Sequence, residues 1–459
     1  MTVLADIAAI LKGRSRFAGG VHPHDHKALA ADCSIEPLPT PGEVLVPLHQ
    51  HTGSPCQPAV KAKQAVAVGD VIGTPTGAIS SPVHASVTGQ TGVATITLLA
   101  TGLRVQAIPI TAAEPGGACA DPADVYGGDW TLENPAAFEP DQIIDKILAA
   151  GIVGLGGAAF PTHFKLRPNP KKPVDTLLLN GSECEPYLTS DYRLMIEYPE
   201  PIVAGMRLAM QACGAARGVI AIEDNKPAAI DSLRDAVAGY DNIEVKVCQT
   251  KYPMGGERQL IYATLGRKVP SAPVGLPFDV GVAVVNVGTS AAIAAAVLRD
   301  RPLTHRIVTV TGGGVAEPKN LLAPIGARFA DLVAFCGGLR TDADRVIAGG
   351  PMMGFAVATL EIPVTKGTSG ITVLSDAEVA AAAETTCVRC GRCVDACTLR
   401  LVPTRLGHAA KNREYDTAER YNINACCECG VCAYVCPARI PLVQYIRAGK
   451  AALRKRAKR

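Results

Sequence analysis

Eight of the sixteen cysteines in this 459-residue chain form two runs with the same spacing. Each run reads Cys-x-x-Cys-x-x-Cys-x-x-x-Cys, which is typical of the ligands of bacterial [4Fe-4S] ferredoxins. Thiolates are soft ligands that suit iron-sulfur clusters, and the short spacing lets three successive sulfurs converge on one cube. The first run is Cys387, Cys390, Cys393 and Cys397, and the second is Cys426, Cys429, Cys432 and Cys436.

The fourth cysteine of each run lies too far along the chain to close its own cluster, so we expect it to bind the other one. Zinc is the alternative, but a structural zinc ion takes four ligands and would leave several of the eight cysteines unexplained. The sequence therefore predicts two [4Fe-4S] clusters. One would be held by Cys387, Cys390, Cys393 and Cys436, and the other by Cys426, Cys429, Cys432 and Cys397.

Two details of the runs depart from the usual pattern. Thr398 follows Cys397 where a proline is common, so the turn after that ligand is less constrained. Cys427 adjoins a ligand and is interpreted as a bystander. The other seven cysteines have no metal spacing, and we interpret most of them as small buried side chains. They are Cys33, Cys56, Cys119, Cys184, Cys213, Cys248 and Cys336.

The bulk composition excludes several classes of protein. A formal net charge of +3 and a pI near 8.1 are too mild for a nucleic-acid binder. The first twenty residues lack the features of a signal peptide, which favours a reducing cytosol for the cysteines. The uncharged stretch 280–298 is long enough to span a bilayer, but its polar centre indicates a strand, a turn and a buried helix.

Local patterns predict a multidomain chain of α/β and α+β units. Short alternating runs to about residue 120 indicate a small all-β unit, and the aperiodic stretch 113–138 resembles a linker. From residue 141 helical runs alternate with strands, as in a mainly parallel sheet. The predicted domains are 1–120, 139–300, a mixed α+β unit at 301–375, the cysteine-rich unit 376–445 and a basic tail at 446–459.

A glycine-rich loop, GLGGAAFP at 154–161, exposes consecutive backbone N–H groups to any phosphate or flat ring nearby. Alone it is a weak signal, because a structural turn explains it equally well. Lys165 lies just downstream, and the polar segment NGSECEP at 180–186 follows an apolar strand. Since α/β sheets bind ligands at the carboxyl ends of their strands, these segments together predict a ligand site.

The same segments carry a family resemblance. GLGGAAFPTHFKL, LLLNGSECEPYLTSDYRLM, KYPMGGERQLIYATLGRKVP and the doubled cysteine motif resemble the C subunit of the Rnf (or Rsx) ion-translocating electron transport complex, over nearly the whole chain. Residues 154–290 are also similar to the FMN-bearing, NADH-oxidising subunit of respiratory complex I. Leu155, Ala159 and His163 depart from that subunit's commoner Arg, Gly and Gly.

The resemblance implies a flavin site next to the cluster motifs. Glu183 and Glu185 would face the nicotinamide nucleotide, although a solvated turn is the alternative for both. Lys165 would help to cradle FMN, although a surface ion pair is the alternative. The implied FMN residues are Gly154, Gly156, Gly157 and Lys165 as the cradle, with Asn180, Glu257, Asn286 and Thr289 around the polar edge.

The resemblance also implies the folds of the units. We expect an N-terminal barrel-sandwich unit, a Rossmann-like FMN-binding α/β domain, a β-grasp unit of the SLBB type and a C-terminal ferredoxin-like domain. The barrel-sandwich unit has no lysine at the hairpin tip that could carry a prosthetic group, so we expect a structural role. The β-grasp unit would serve as a packing spacer.

The implied function is electron transfer between NADH and ferredoxin through FMN and two clusters, because a flavin converts hydride chemistry into single-electron steps. Partners would be NADH, the membrane-embedded and ferredoxin-like subunits of the complex and, indirectly, ferredoxin. The chain would lie peripherally on the cytoplasmic side of the inner membrane. The basic end from Lys450 would be either disordered or a docking segment, and the family context favours docking.

Two other functions fit the same motifs. One is a soluble cobalamin reductase, which is similar in its flavin and cluster domains. The other is a pure electron-relay subunit without NADH activity. The histidines of HPHDH at 22–26 have no acidic or thiol companion in metal spacing, and we interpret them as a solvated loop.

Overall fold

The described residues of the computed structural model form four β-sheets and a C-terminal helical segment. They are residues 16–117, 120–132, 134–167, 169–271, 275–379 and 383–457. Cys119 lies outside them, as do the first fifteen residues and the last two residues of the basic tail.

Two small antiparallel sheets make up the N-terminal part, as the alternating pattern predicts. In the strand Glu43–Pro47, Val44 and Val46 are fully buried, whereas Leu45 between them is half-buried. The strands in this part of the chain are β1 Ile35–Pro37, which joins a later sheet, and β2 Glu43–Pro47, β3 Cys56–Pro58, β4 Ala65–Val66, β5 Val71–Pro75, β6 Val83–His84, β7 Gly89–Thr91, β8 Thr95–Leu98 and β9 Arg104–Ala112. One sheet has the order β2-β9-β7-β4 with β8 also on β9, and the other is β3-β5-β6.

The stretch predicted as a linker is packed against the next unit. It contains the helix α1, Pro122–Tyr126, and a 3₁₀ turn at Pro135–Ala137. Trp130 is only 5% exposed, and the guanidinium of Arg299 lies 3.4 Å from its ring centroid. The linker interpretation is wrong for these residues, because a buried tryptophan fixes the segment in place.

A parallel four-stranded sheet lies at the centre of the second unit, as predicted. Its strands are β10 Thr176–Asn180, β11 Arg217–Glu223, β12 Ile243–Cys248 and β13 Val282–Asn286, in the order β12-β11-β10-β13. Its helices are α2 Pro140–Ala149, α3 Thr162–Leu166, α4 Ser190–Glu197, α5 Pro199–Cys213, α6 Pro227–Val237, α7 Glu257–Leu265 and α8 Val287–Arg299, with a 3₁₀ turn at Pro277–Val280. The stretch 280–298 is thus a strand followed by a buried helix.

A mixed six-stranded sheet forms the third unit. Its strands are β14 His305–Thr311, β15 Lys319–Pro324, β16 Ala343–Ala348, β17 Phe355–Val357 and β18 Gly370–Ser375, with one helix, α9, at Phe329–Phe335. The sixth strand is β1, which pairs parallel with β15 at the sheet edge. The sequence pattern assigns residues 35–37 to the N-terminal unit, whereas their hydrogen bonds belong to this sheet.

Short helices and loops carry the cysteines, as predicted. The helices are α10 Arg392–Asp395, α11 Pro403–Lys411, α12 Tyr415–Arg420, α13 Val431–Tyr434 and α14 Leu442–Ala457, with a 3₁₀ turn at Ile423–Ala425. The basic tail is therefore ordered as the last turns of α14 as far as it is described. Lys450 is only 9% exposed, so the alternative of a disordered basic end is wrong for that part.

Among the described residues, no helix is both long and apolar enough to cross a membrane.

Candidate functional site

The glycine-rich loop lies against the end of strand β13. It closes with a hydrogen bond from Gly154 N to Phe160 O, at 2.9 Å. A Cβ on Gly156 would lie 2.7 Å from Asn286 Nδ2, so only glycine allows this approach. A Cβ on Gly157 would have no atom within 4 Å. The loop thus rests on the sheet through Gly156 and presents an open face at Gly157.

The polar ends of two neighbouring strands meet beneath this loop. Asn180 and Asn286 are partners in the parallel register of β10 and β13. The Asn286 carboxamide caps α8 by accepting from Thr289 N at 3.2 Å, and Thr289 Oγ1 accepts from Leu155 N at 2.9 Å. Asn180 Nδ2 donates to Gly255 O at 2.9 Å. The structure thus brings the loop and three of the predicted polar residues to one sheet edge.

Lys165 and Glu257, predicted on opposite parts of the flavin site, form an ion pair with each other. The distance from Lys165 Nζ to Glu257 Oε1 is 3.0 Å, and both side chains keep partial solvent contact. Glu257 is the first residue of α7, where a carboxylate is favoured by the helix dipole. Lys165 thus makes an ion pair, which is the alternative role that the sequence offers for it.

The segments that directly follow the loop and strand β10 have unmet hydrogen-bonding capacity, which fits a polar cofactor such as FMN. Among the described residues, three buried polar atoms of these segments have no partner: Ser182 Oγ, Thr162 Oγ1 and His163 Nδ1. Buried polar atoms are normally hydrogen-bonded, so unpaired ones flanking an open glycine loop suit a bound group. The open face at Gly157 supplies room for it.

Glu183 lies at the start of α4, with its carboxylate turned onto the helix. Its two oxygens accept from Asp191 N at 2.7 Å and from Tyr192 N at 3.0 Å. Burial raises the pKa of Glu183 to about 7, although Lys27 lowers it in part. The sequence predicts that this carboxylate faces a nicotinamide nucleotide, whereas the structure uses it to hold a helix terminus.

Glu185 lies where three units meet. Its carboxylate accepts from Met352 N of the third unit at 3.2 Å and from the hydroxyl of Tyr252 at 3.3 Å. Its carbonyl oxygen accepts from Lys27 Nζ at 3.0 Å. Burial raises the pKa of the Glu185 carboxyl to about 7. The residue is therefore part of an interface between units rather than of a solvated turn.

The eight cysteines line two separate cavities, each with one predicted ligand set. We call the set that faces the α/β unit the inner set, and the other the outer set. The inner set is Cys397, Cys426, Cys429 and Cys432, which line an enclosed cavity. The outer set is Cys387, Cys390, Cys393 and Cys436, which line a wider cavity. The fourth cysteine of each run thus lines the cavity of the other run.

Each cavity is lined by four of the predicted thiol ligands, which provide one ligand for each iron of a [4Fe-4S] cluster.

Hydrogen bonds tie the inner set to the α/β unit. Tyr252 Oη donates to Cys429 O at 2.8 Å. Gln259 Nε2 donates to Thr398 Oγ1 at 2.7 Å, so the threonine that replaces the usual proline joins the ligand loop to α7. Gly20 N donates to Ala396 O at 2.8 Å. Sequence reasoning treated Thr398 only as a departure from the pattern, because its partner is 139 residues away.

The outer set lies at the surface. Cys390 is exposed, and the neighbouring Val388 keeps 66% of its surface in solvent. Arg389 and Arg405 stand on the cavity rim. The two cysteine sets therefore differ in what they face, although their spacing is the same.

Two buried cations near the flavin edge were missed from the sequence. Arg306, on β14, donates from Nη2 to Leu155 O at 3.3 Å, so the third unit supports the glycine-rich loop directly. Lys27 follows the histidines of HPHDH, which are exposed as predicted, but its own side chain is buried at 8%. The sequence does not indicate that either side chain is buried, because Arg and Lys are usually exposed.

Four family models match the chain in order, and they define its class. They are the RnfC barrel sandwich hybrid domain over residues 15–114, the Nuo51 FMN-binding domain over 147–295, the SLBB domain over 307–356 and the 4Fe-4S dicluster domain over 386–441. The chain is therefore an electron-transfer flavoprotein that also carries [4Fe-4S] clusters.

Curated relatives narrow this class to one family. The C subunit of the proton-translocating ferredoxin:NAD(+) oxidoreductase complex of Clostridium ljungdahlii is 42% identical over 94% of this chain and 92% of its own length. The Na(+)-translocating counterpart of Acetobacterium woodii is 42% identical over 88% and 90%. The C subunit of the ion-translocating oxidoreductase complex of Rhodobacter capsulatus is 37% identical over 99% and 87%. The chain belongs to the C-subunit family of the Rnf ion-translocating oxidoreductase complexes.

Proposed function

We propose that this chain transfers electrons between NADH and ferredoxin as a peripheral subunit of an Rnf complex, through FMN at the glycine-rich loop and then through the inner and outer clusters. One observation carries the proposal. The inner set is hydrogen-bonded to the unit that holds the loop, whereas the outer set opens at the surface. The carriers thus run from the flavin edge, through the interior, to an exit.

The chain's own residues would position FMN rather than react. Gly154, Gly156 and Gly157 would lie along the flavin, with the Lys165–Glu257 pair at one side. Asn180, Asn286 and Thr289 would fix the polar edge: Thr289 accepts a hydrogen bond from Leu155 of the loop, Asn286 caps the helix that carries Thr289, and Asn180 holds Gly255. Bound FMN would exchange a hydride with NADH and single electrons with a cluster.

Glu183 and Glu185 stay predicted residues of the nicotinamide region, with a changed role. Glu183 holds the start of α4, and Glu185 holds the junction with the third unit. Both would act through the 183–188 segment that they fix. We therefore propose positioning roles for them beside the nicotinamide site.

The surface around the outer set suits a protein partner. Cys390 is exposed beside Val388, and Arg389 and Arg405 stand on the rim of the same cavity. An acidic ferredoxin-like subunit would match this surface, since complementary charge steers association. We place the chain on the cytoplasmic side of the inner membrane, next to membrane-embedded partners.

Anaerobic titration of the purified chain with NADH tests the proposal. Flavin absorbance and the EPR signals of the reduced clusters would be recorded together. We expect about one FMN per chain, bleaching on addition of NADH, and reduction of the clusters. A preparation without flavin whose clusters respond only to dithionite would contradict it.

That second result would favour the pure relay function. The observation that favours a relay is that Glu183 and Glu185 already accept hydrogen bonds from the protein. Flavin content separates the two functions directly.

A further inference from the structure

We propose that Tyr252 is a positioning residue that helps to set the reduction potential of the inner cluster and holds the loop of its ligands against the α/β unit. The proposal rests on the proposed assignment of Cys397, Cys426, Cys429 and Cys432 to one cluster. It adds a residue of the α/β unit, distant in sequence from every cysteine ligand, to the surroundings of that cluster.

The hydroxyl of Tyr252 has two acceptors, one in each unit. It lies 2.8 Å from Cys429 O and 3.3 Å from Glu185 Oε1. Glu185 is held in turn by Met352 N. A phenol has a single proton to donate, and the shorter distance is to the carbonyl of the ligand residue. The O–H dipole therefore points its positive end at the peptide of Cys429.

The position of the ring is fixed from the flavin side. Tyr252 is 2% exposed and exchanges backbone hydrogen bonds with Val21, at 2.8 and 2.9 Å. A Cβ on Gly20 would lie 2.5 Å from Tyr252 O, so the N-terminal segment packs tightly on it. Tyr252 belongs to the same buried hydrophobic cluster as Val431 of the cysteine-rich unit. Contacts with the N-terminal segment, rather than with the loop of cluster ligands, therefore fix the position of Tyr252.

A donor aimed at the peptide of a cluster ligand stabilises the reduced cluster, which carries one more negative charge. Hydrogen bonds and solvent exposure around the sulfurs are among the factors that set cluster potentials. Removal of the hydroxyl should lower the potential of the inner cluster and leave that of the outer cluster unchanged. We expect a shift of at most about fivefold in the reduction equilibrium, because only the difference in this hydrogen bond between the oxidised and reduced states counts.

The test compares two Tyr→Phe variants of the full-length holoprotein. Tyr252→Phe removes the hydroxyl at the inner set. Tyr445→Phe is the matched control, because the Tyr445 hydroxyl donates to Glu384 Oε2 at 2.5 Å on the side of the outer set. Each protein is titrated anaerobically with dithionite and mediators, and the clusters are followed by EPR. A third variant, Cys390→Ser, assigns one signal to the outer cluster.

We expect Tyr252→Phe to move only the signal that Cys390→Ser leaves intact, and Tyr445→Phe to leave that signal in place. Unchanged midpoints in Tyr252→Phe, or equal shifts of both clusters, would overturn the proposal. If Tyr252→Phe does not fold, 3-fluorotyrosine at position 252 replaces it. The fluorine keeps the ring and makes the hydroxyl a stronger donor, so the inner midpoint should rise, and no rise would overturn the proposal.

No step of this test uses NADH, so failure of the NADH reaction leaves it intact. A wrong ligand assignment would show separately, because Cys436→Ser would then disturb the other signal instead of the one that Cys390→Ser disturbs.

Discussion

The inner and outer cysteine sets share one spacing but have different surroundings. The inner set is enclosed, and Tyr252 and Gln259 of the α/β unit donate hydrogen bonds to its loops. The outer set includes the exposed Cys390 and opens between surface side chains. Ligand spacing thus predicts two clusters, whereas contacts from distant parts of the chain determine which cysteine set lies against the α/β unit.

Replacing the third cysteine of each run should give the largest effect, and it tests whether electrons pass through the inner set before they reach the outer set. Cys432 and Cys393 are equivalent, both buried, at 8% and 5% exposure. Cys432→Ser should leave flavin bleaching by NADH intact and slow reduction of the outer cluster at least about 100-fold, beyond what outer-shell changes cause at metal sites. Cys393→Ser should keep reduction of the inner cluster at the normal rate.

Stopped-flow absorbance with rapid-freeze EPR measures both rates. Wild-type reduction of the outer cluster in Cys432→Ser would mean that electrons reach it without the inner cluster.

Lys450, on α14, supports the loop that carries the inner set. Its Nζ donates to Cys426 O at 2.9 Å and pairs with Glu428 at 2.5 Å, with 11% and 25% of the two side chains exposed. Lys450→Met should destabilise the cysteine unit by about 2 kcal/mol, below the usual cost of breaking a fully buried pair. The inner EPR signal should be lost first on heating. Arg456→Met is the control, since its pair with Asp416 is exposed, and it should change stability by less than ~0.5 kcal/mol.

Substitutions at two neighbouring glycines test the proposed FMN site. The methyl group of Gly157→Ala would have no protein atom within 4 Å and should change the free energy of unfolding by less than ~0.5 kcal/mol, but it would enter the space proposed for FMN. Gly156→Ala would press on Asn286 and cost about 1–3 kcal/mol. We expect Gly157→Ala to lower the FMN content and to abolish NADH reduction of both clusters, while dithionite still reduces them. Full flavin occupancy in Gly157→Ala would move the cofactor away from this loop.

Much of the framework could be predicted, because it follows from local patterns. The strand and helix of 280–298 and the two ligand sets rest on spacing and polarity within short stretches of chain. The glycine-rich loop was located by the same means, but its contact with Asn286 depends on the register of β10 and β13.

The remainder depends on contacts across long sequence separations. Tyr252 meets Cys429 across 177 residues, and Arg306 meets Leu155 across 151. Trp130 makes a packed segment out of a stretch whose composition is typical of linkers. The position of Glu183 and Glu185 after a strand predicts that they face a ligand, and only the fold shows that they hold α4 and the junction between units.

Two carboxyl groups, one beside each cysteine set, should affect the stability of the protein in opposite directions as the pH changes. Burial raises the pKa of Glu185, beside the inner set, to about 7 from an ordinary value of 4.5. Hydrogen bonds from Tyr445 and Lys411 lower the pKa of Glu384, beside the outer set. The folded protein therefore binds a proton at Glu185 more tightly than the unfolded chain does, and at Glu384 less tightly.

The signs of the two contributions follow from linkage. The contribution of Glu185 is complete below pH 4.5 and is lost as the pH rises through 7, whereas that of Glu384 is present above pH 4.5 and is lost as the pH falls below it. Glu185→Gln should therefore gain about 1–2 kcal/mol relative to wild type between pH 5 and pH 8, a value reduced for partial solvent screening. Glu384→Gln should show no such gain in that range. Urea unfolding at the two pH values measures the difference, and parallel behaviour of the two variants would mean that the inner junction is open to water like the outer one.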